Sequence, residues 1–188
     1  MSHSRSDAPV GNSLLTQDFF SLFGLPRSYG LAIDQLESAW KRLQAVVHPD
    51  RFTGGGDAQR RMALQWSTRI NEGHQILKNP ITRASYLLEL HGVDLQTESN
   101  TSMPAEFLMT QMAWRESLEE LRDQTDGQQR QASQAALRHE VAAFWQSGEA
   151  ALTDLLGDQP TPATLAKAAD LVRQLMFVKK FEQELMEV

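Results

Sequence analysis

Pro49 constrains the fold of this chain more than any other residue, because it interrupts two stretches that otherwise read as helix. Proline lacks a backbone donor and clashes with the preceding helical turn, and it pushes the residue before it, His48, toward extended backbone. Upstream, Leu36, Trp40, Leu43 and Val47 recur at spacings of 4, 3 and 4, one buried stripe of a helix. Lys41, Arg42 and Ala45 fall at about 140°, 240° and 180° from Leu36, on the opposite, solvent-facing side. Downstream of the loop Gly54-Gly55-Gly56, a second stripe runs through Met62, Trp66, Ile70, Gly73 and Leu77. The spacing predicts a helical hairpin whose stiff tip carries His48-Pro49-Asp50, then Arg51-Phe52, with a basic face leading into it. A short apolar helix (Phe19, Phe20, Leu22, Phe23) precedes the hairpin, and Asp34-Gln35-Leu36-Glu37 reads as a capping box at its start.

The rest of the chain is punctuated in the same way. The second long helix stops at Asn79-Pro80, and a shorter one follows through Tyr86, Leu87, Leu88 and Leu90 to a C-cap near Gly92. Residues 93–103 are polar and read as a linker, and residues 1–16 as a disordered leader. Pro104 suits the first turn of a new helix reaching about Gln124. A turn at Asp126-Gly127 opens a long helix to about Gly157, and Pro160 and Pro162 introduce a last one running to Val188. Strand-like alternation is absent, so the expected fold is all-α, ending in a three-helix bundle over residues 104–188.

Composition removes several function classes. With no cysteine there is no disulfide, thiolate metal site or cysteine nucleophile. His3, His48, His74, His91 and His139 lack zinc-site spacing, so no metal is expected. The triple glycine lacks the Gly-Lys-Ser/Thr of a phosphate-binding loop, and His48 and Asp50, flanking a proline, point apart rather than forming an acid–base pair. An enzyme is therefore not expected, nor is a cofactor. No apolar run approaches membrane-spanning length and no secretory signal is present, which makes the bacterial cytoplasm the simplest address. Residues 17–92 hold 9 Lys+Arg against 7 Asp+Glu, whereas residues 93–188 hold 8 against 16. The acidic half argues against nucleic acid, and the asymmetry points to two surfaces with two partners.

The helix after Pro104 has two faces. Phe107, Trp114, Leu118 and Leu121 share one direction within about 40°, the core stripe. Leu108, Met109 and Met112 lie on the far side, followed there by Glu116, Glu119 and Glu120. Apolar anchors leading into an acidic rim read as a docking surface, with the alternative that the helix buries both faces. In the last helix Leu165, Ala168, Val172, Leu175 and Met176 form the core stripe. Phe177 lies about 120° from Leu165 and either caps the bundle or marks the docking face.

The hairpin with its His-Pro-Asp tip resembles a J-domain over residues 17–92. More of the chain is similar to the HscB co-chaperone family. The segment Arg83 to Leu95 (RASYLLELHGVDL), the run Glu106 to Met112 (EFLMTQM), and Arg115-Glu116-x-Leu118 all resemble that family. So does the pairing of a J-domain with an acidic three-helix domain. The resemblance implies a co-chaperone that brings an IscU-type iron–sulfur scaffold protein to an HscA chaperone, a DnaK relative, and stimulates its ATPase to promote cluster transfer. It further implies that His48, Pro49 and Asp50, helped by Lys41, Arg42 and Arg51, contact the chaperone. Leu108, Met109, Met112, Glu116, Glu120 and Phe177 would contact the scaffold. Ala113 departs from family members that carry a further acidic residue there, which weakens an electrostatic contact and leaves the apolar anchors. A J-protein with a different client is the alternative, distinguished by whether Leu108→Ala with Met112→Ala weakens scaffold binding.

Overall fold

A computed structural model describes residues 16–47, 56–95 and 103–188, and all regular structure among them is α-helical. Seven helices are found there: α1 (Phe19–Phe23), α2 (Ile33–Val47), α3 (Asp57–Lys78), α4 (Pro80–Leu90), α5 (Ala105–Asp123), α6 (Gly127–Leu155) and α7 (Pro162–Met186). The chain divides into two compact units, Met1–Arg83 and Ala84–Val188, with the dividing line inside α4. Residues 1–15 of the expected leader and the Gly54-Gly55 part of the glycine loop lie outside the described residues, as does most of the 93–103 linker.

In the first unit α1 is a single turn that exists because both ends are capped. The Asp18 carboxylate accepts hydrogen bonds from the Ser21 N–H at 3.1 Å and the Ser21 hydroxyl at 2.6 Å, while Gly24 closes the helix at φ 66°. A left-handed residue in that place favours glycine. Burial by itself would raise the Asp18 carboxyl, but the Arg27 guanidinium at 2.7 Å and the two Ser21 donors outweigh it, holding the group at about 2. All four apolar side chains of α1 are buried. The helix lies so close to α3 that a Cβ on Gly73 would come within 2.5 Å of the Phe19 ring. Arg69 of α3 stacks over that ring at 4.7 Å and donates to the Gln17 carbonyl at 2.6 Å.

Helices α2 and α3 run antiparallel, as their cross-contacts require. Trp40 Nε1 and Gln44 Nε2 both donate to Asn71 Oδ1, at 3.1 and 2.6 Å. Lys78 Nζ and His74 Nε2 both donate to Glu37 Oε1, at 2.9 and 3.1 Å, and the His74 ring stacks on Trp40 with centroids 4.7 Å apart. Those hydrogen bonds, Lys78 first and then His74, keep the Glu37 carboxyl below its usual range.

Two sequence expectations are corrected here. Asp34 and Glu37 do not form a capping box: the Ala32 carbonyl accepts from Leu36 N–H, so Asp34 sits inside the first turn and Glu37 reaches to α3 instead. On α3 the buried stripe holds Ala63, not Met62, which is exposed. The stripe otherwise stands, with Leu36, Val47, Ile70, Gly73 and Leu77 buried and Trp40, Leu43 and Trp66 half-buried.

Asn79 closes α3 and opens α4, its side-chain oxygen accepting from the N–H groups of Ile81 and Thr82, and Pro80 occupies the first turn. Arg83 is buried, donating to the Leu77 carbonyl at 2.7 Å and lying over the Tyr29 ring. Helix α4 ends as anticipated at Gly92 (φ 76°), with Val93 N–H returning to the Leu88 carbonyl.

In the second unit the three long helices run up, down and up. Phe107 and Phe177 meet at 5.8 Å and Trp114 and Phe181 at 5.5 Å, so α5 and α7 are parallel. Arg130 donates to the Val188 carbonyl and Gln134 to that of Leu185, so α6 is antiparallel to α7. Their shared core holds Phe107, Trp114, Leu118 and Leu121 from α5, Leu137 and Val141 from α6, and Val178, Phe181 and Leu185 from α7. Farther along, Gly148 lets α6 approach Leu175, whose methyl would lie 2.8 Å from an added Cβ. Asp126 caps α6, accepting from Gln128 and Gln129 N–H, and Thr161 with Thr164 forms a capping box at α7. Arg173 on α7 ties down the start of the expected linker by donating to the Leu95 carbonyl at 3.3 Å.

Candidate functional site

The expected sites fall on two helices, one in each unit. On α2, Lys41 and Arg42 are exposed opposite the buried Leu36, Ala39 and Val47, so the basic face stands in solvent. Arg42 shares a shallow pocket with Asp34, Ser38 and Leu25, on the side of α2 that faces the end of α1. His48, Pro49, Asp50 and Arg51 lie outside the described residues. The helices flanking them expose apolar side chains that the sequence reading passed over: Val46 near the end of α2 at 59 % and, on α3 two residues after Met62, Leu64 at 63 %. The signal that could have found them is the one applied to α5, an apolar residue off the buried stripe.

On α5 the pattern separates cleanly. Phe107, Trp114, Leu118 and Leu121 are buried, while Leu108 is 45 % exposed and Met109 and Met112 are each 72 % exposed. The alternative that this helix buries both faces is therefore set aside. Leu108, Met112, Glu116 and Glu120 follow one another at steps of four, and Met109 stands three residues before Met112, so they form one ridge. Glu116, Glu119 and Glu120 are exposed, as is Ala113. The ridge forks at its end. Glu120 borders a groove shared with α6, lined also by Leu121, Ser133, Leu137 and Glu140, whereas Leu108, Met109, Met112 and Glu116 do not line it.

Phe177 sits at the seam of α5 and α7, half-buried. It packs edge-on to Phe107 at 5.8 Å, stacks with Phe181 at 6.3 Å, and lies under the Arg115 guanidinium at 5.7 Å. Arg115 is fixed in turn by Glu184, at 3.0 Å. The ring thus closes the core and also reaches the stretch of α5, residues 107–115, that presents Leu108, Met109 and Met112. Of the two roles left open by the sequence pattern, contact with the core is the one the ring visibly fills. The ridge is a surface of flexible thioethers leading into carboxylates.

Comparison with known proteins gives the class and then the family. A family profile described as the HSCB C-terminal oligomerisation domain matches residues 103–186. The co-chaperone protein HscB homologue of Azoarcus sp. (strain BH72) is 44% identical over 171 residues, covering 91% of this chain and 93% of that one. The structure of the chaperone HscB from Vibrio cholerae superposes with a TM-score of 0.77 at 33% identity, over 91% of this chain and 96% of that one. The human co-chaperone HscB shares the fold at a TM-score of 0.80 and 23% identity, covering 92% of this chain and 82% of that one. These matches define a co-chaperone homologue and not an enzyme. The chain belongs to the HscB co-chaperone family. None of its described helices is long and apolar enough to cross a membrane.

Proposed function

We propose that this protein docks an IscU-type iron–sulfur scaffold through the α5 ridge and presents it to an HscA/DnaK-type chaperone, whose ATPase it stimulates through a J-domain. The observation that carries this reading is the exposed Leu108-Met109-Met112 ridge with glutamates at its end, in a chain of the HscB family. Apolar side chains left in water on an otherwise well-packed helix gain free energy only when a partner covers them. Thioether side chains mould to such a partner at little strain. Phe177 and Glu120 would border the contact, and residues 104–188 would act as a scaffold-binding three-helix bundle.

On the J-domain, assigned to residues 17–92, Lys41 and Arg42 supply the exposed basic face, and the His48-Pro49-Asp50 tip with Arg51 would supply the specific contacts. Asp50 offers a charge-assisted acceptor to a cationic partner group, pre-organised by Pro49. The tip needs no catalytic group of its own. By binding one conformation of the ATPase better than another it shifts a population, and about 1.4 kcal/mol of difference changes the ratio roughly tenfold. Released from the chaperone, the scaffold would pass its cluster to acceptors.

The test is the steady-state ATPase rate of an HscA-type chaperone with this protein and an IscU-type scaffold added singly and together. Synergistic stimulation, abolished by His48→Gln or Asp50→Asn, is the expected result. Stimulation indifferent to the scaffold would leave a J-protein of some other client.

A further inference from the structure

The two most exposed thioethers among the described residues stand on the docking ridge. Met109 and Met112 are 72 % exposed, against 63 % for Met186 and 37 % for Met62, while Met103 packs on the core and Met176 is half-buried. Oxidants reach sulfur in proportion to its exposure, and thiols react ahead of thioethers where both are present. This chain has no cysteine, so no thiol of its own is consumed first.

We infer that Met109 and Met112 form an oxidation site that switches the α5 ridge from a scaffold-binding to a non-binding state, with a peroxide as the oxidant. The inference rests on the docking role assigned to this ridge. In the reaction a sulfur lone pair attacks one peroxide oxygen, the O–O bond breaks, and the departing hydroxide takes the proton to leave as water. The thioether becomes a sulfoxide by a two-electron oxidation, and the peroxide is reduced. Return requires a dithiol reductant, which takes the oxygen as water and becomes a disulfide.

The consequence for docking follows from hydrogen bonding. A sulfoxide oxygen is a strong acceptor, and burying it against a partner without a donor is costly. Glu116, Glu119 and Glu120, the charged groups that follow on this helix face, are carboxylates that accept hydrogen bonds and supply none. Two apolar anchors thereby become two unsatisfied polar groups at the centre of the contact. The fold is untouched, because neither sulfur enters the core of the second unit.

The full-length chain is treated with hydrogen peroxide, the oxidant is destroyed, and peptide masses are read at intervals. Met109 and Met112 gain oxygen before Met103 and Met176 if the site is as described; equal or slower gain overturns the proposal whatever the scaffold does. Calorimetry against an IscU-type scaffold then compares treated and untreated protein with the Met109→Leu, Met112→Leu double variant, which keeps the apolar bulk. Treatment should weaken binding by the wild type about tenfold or more, while the double variant, whatever its own starting affinity, binds equally before and after treatment. Unchanged binding by treated wild type, or equal loss in the double variant, overturns the switch. If untreated protein fails to bind or ignores Met112→Ala, the docking role itself falls and the switch with it.

Discussion

In the first unit, α2 and α3 are clasped by polar side chains reaching across half-buried ground. In the second, α5, α6 and α7 close on buried rings. Beyond its buried stripe of Leu36, Val47, Ile70 and Leu77, the hairpin is held in register by Glu37 with Lys78 and His74, and by Asn71 receiving Trp40 and Gln44. The long helices rely on Phe107, Trp114 and Phe181, with Phe144 and Phe177 at the margin. Directional contacts fix register and alignment at modest energy each, roughly 0.5–1.5 kcal/mol net per hydrogen bond. Aromatic packing supplies more energy per residue and depends on volume. The difference also matches the surfaces each unit displays: a basic, polar one on α2 and a thioether one on α5.

The comparison breaks most readily at its strongest point. Trp114→Ala removes the ring between Phe144 and Phe181 and should cost about 3–5 kcal/mol, measured by urea unfolding with circular dichroism. A loss no greater than that of a surface substitution would mean the rings do not carry the second unit. A smaller effect is expected at Gly73. Alanine there gains helix propensity but drives a Cβ into the Phe19 ring, for a net loss of about 1–3 kcal/mol confined to the first unit. Stabilisation by Gly73→Ala would show that α1 yields freely.

The acid limb sharpens the contrast further. Asp18 is held at about 2, below its ordinary 3.8, so its contribution is complete above about pH 4 and is lost as pH falls toward 2. Glu37, also held low, acts in the same direction. Linkage sets an upper bound of about 2.4 kcal/mol on the Asp18 term; solvent screening of the exposed Arg27 partner cuts it to about 1–2 kcal/mol, and Asp18→Asn, which can still cap Ser21, should flatten that part of the stability–pH curve. A curve with the same slope in the variant would remove Asp18 from the account.

How much was legible in the sequence follows the same division. The α5 stripe was readable in full, because Phe107, Trp114, Leu118 and Leu121 are large, apolar and set at helical spacing, with polar residues between them. So were the ends of α3, α4, α6 and α7, where Asn79-Pro80, Gly92, Asp126-Gly127 and Pro162 act locally. The hairpin clasp was not readable. Glu37 looks like one half of a local box, and only the fold reveals partners 37 and 41 positions away. Met62 and Ala63 are neighbours on a helix, and apolar character alone does not say which of them turns inward. Phe177 stayed open until Phe107, far off in the chain, was seen to meet it.

The central claim is that two separable surfaces serve two partners. The most direct test measures scaffold affinity and scaffold-independent chaperone stimulation side by side in two variants: Asp50→Asn, and Leu108→Ala with Met112→Ala. Asp50→Asn should lose stimulation and keep scaffold affinity. The α5 double variant should bind scaffold about tenfold or more weakly and keep stimulation. Either variant losing both activities while remaining folded would contradict the division of labour.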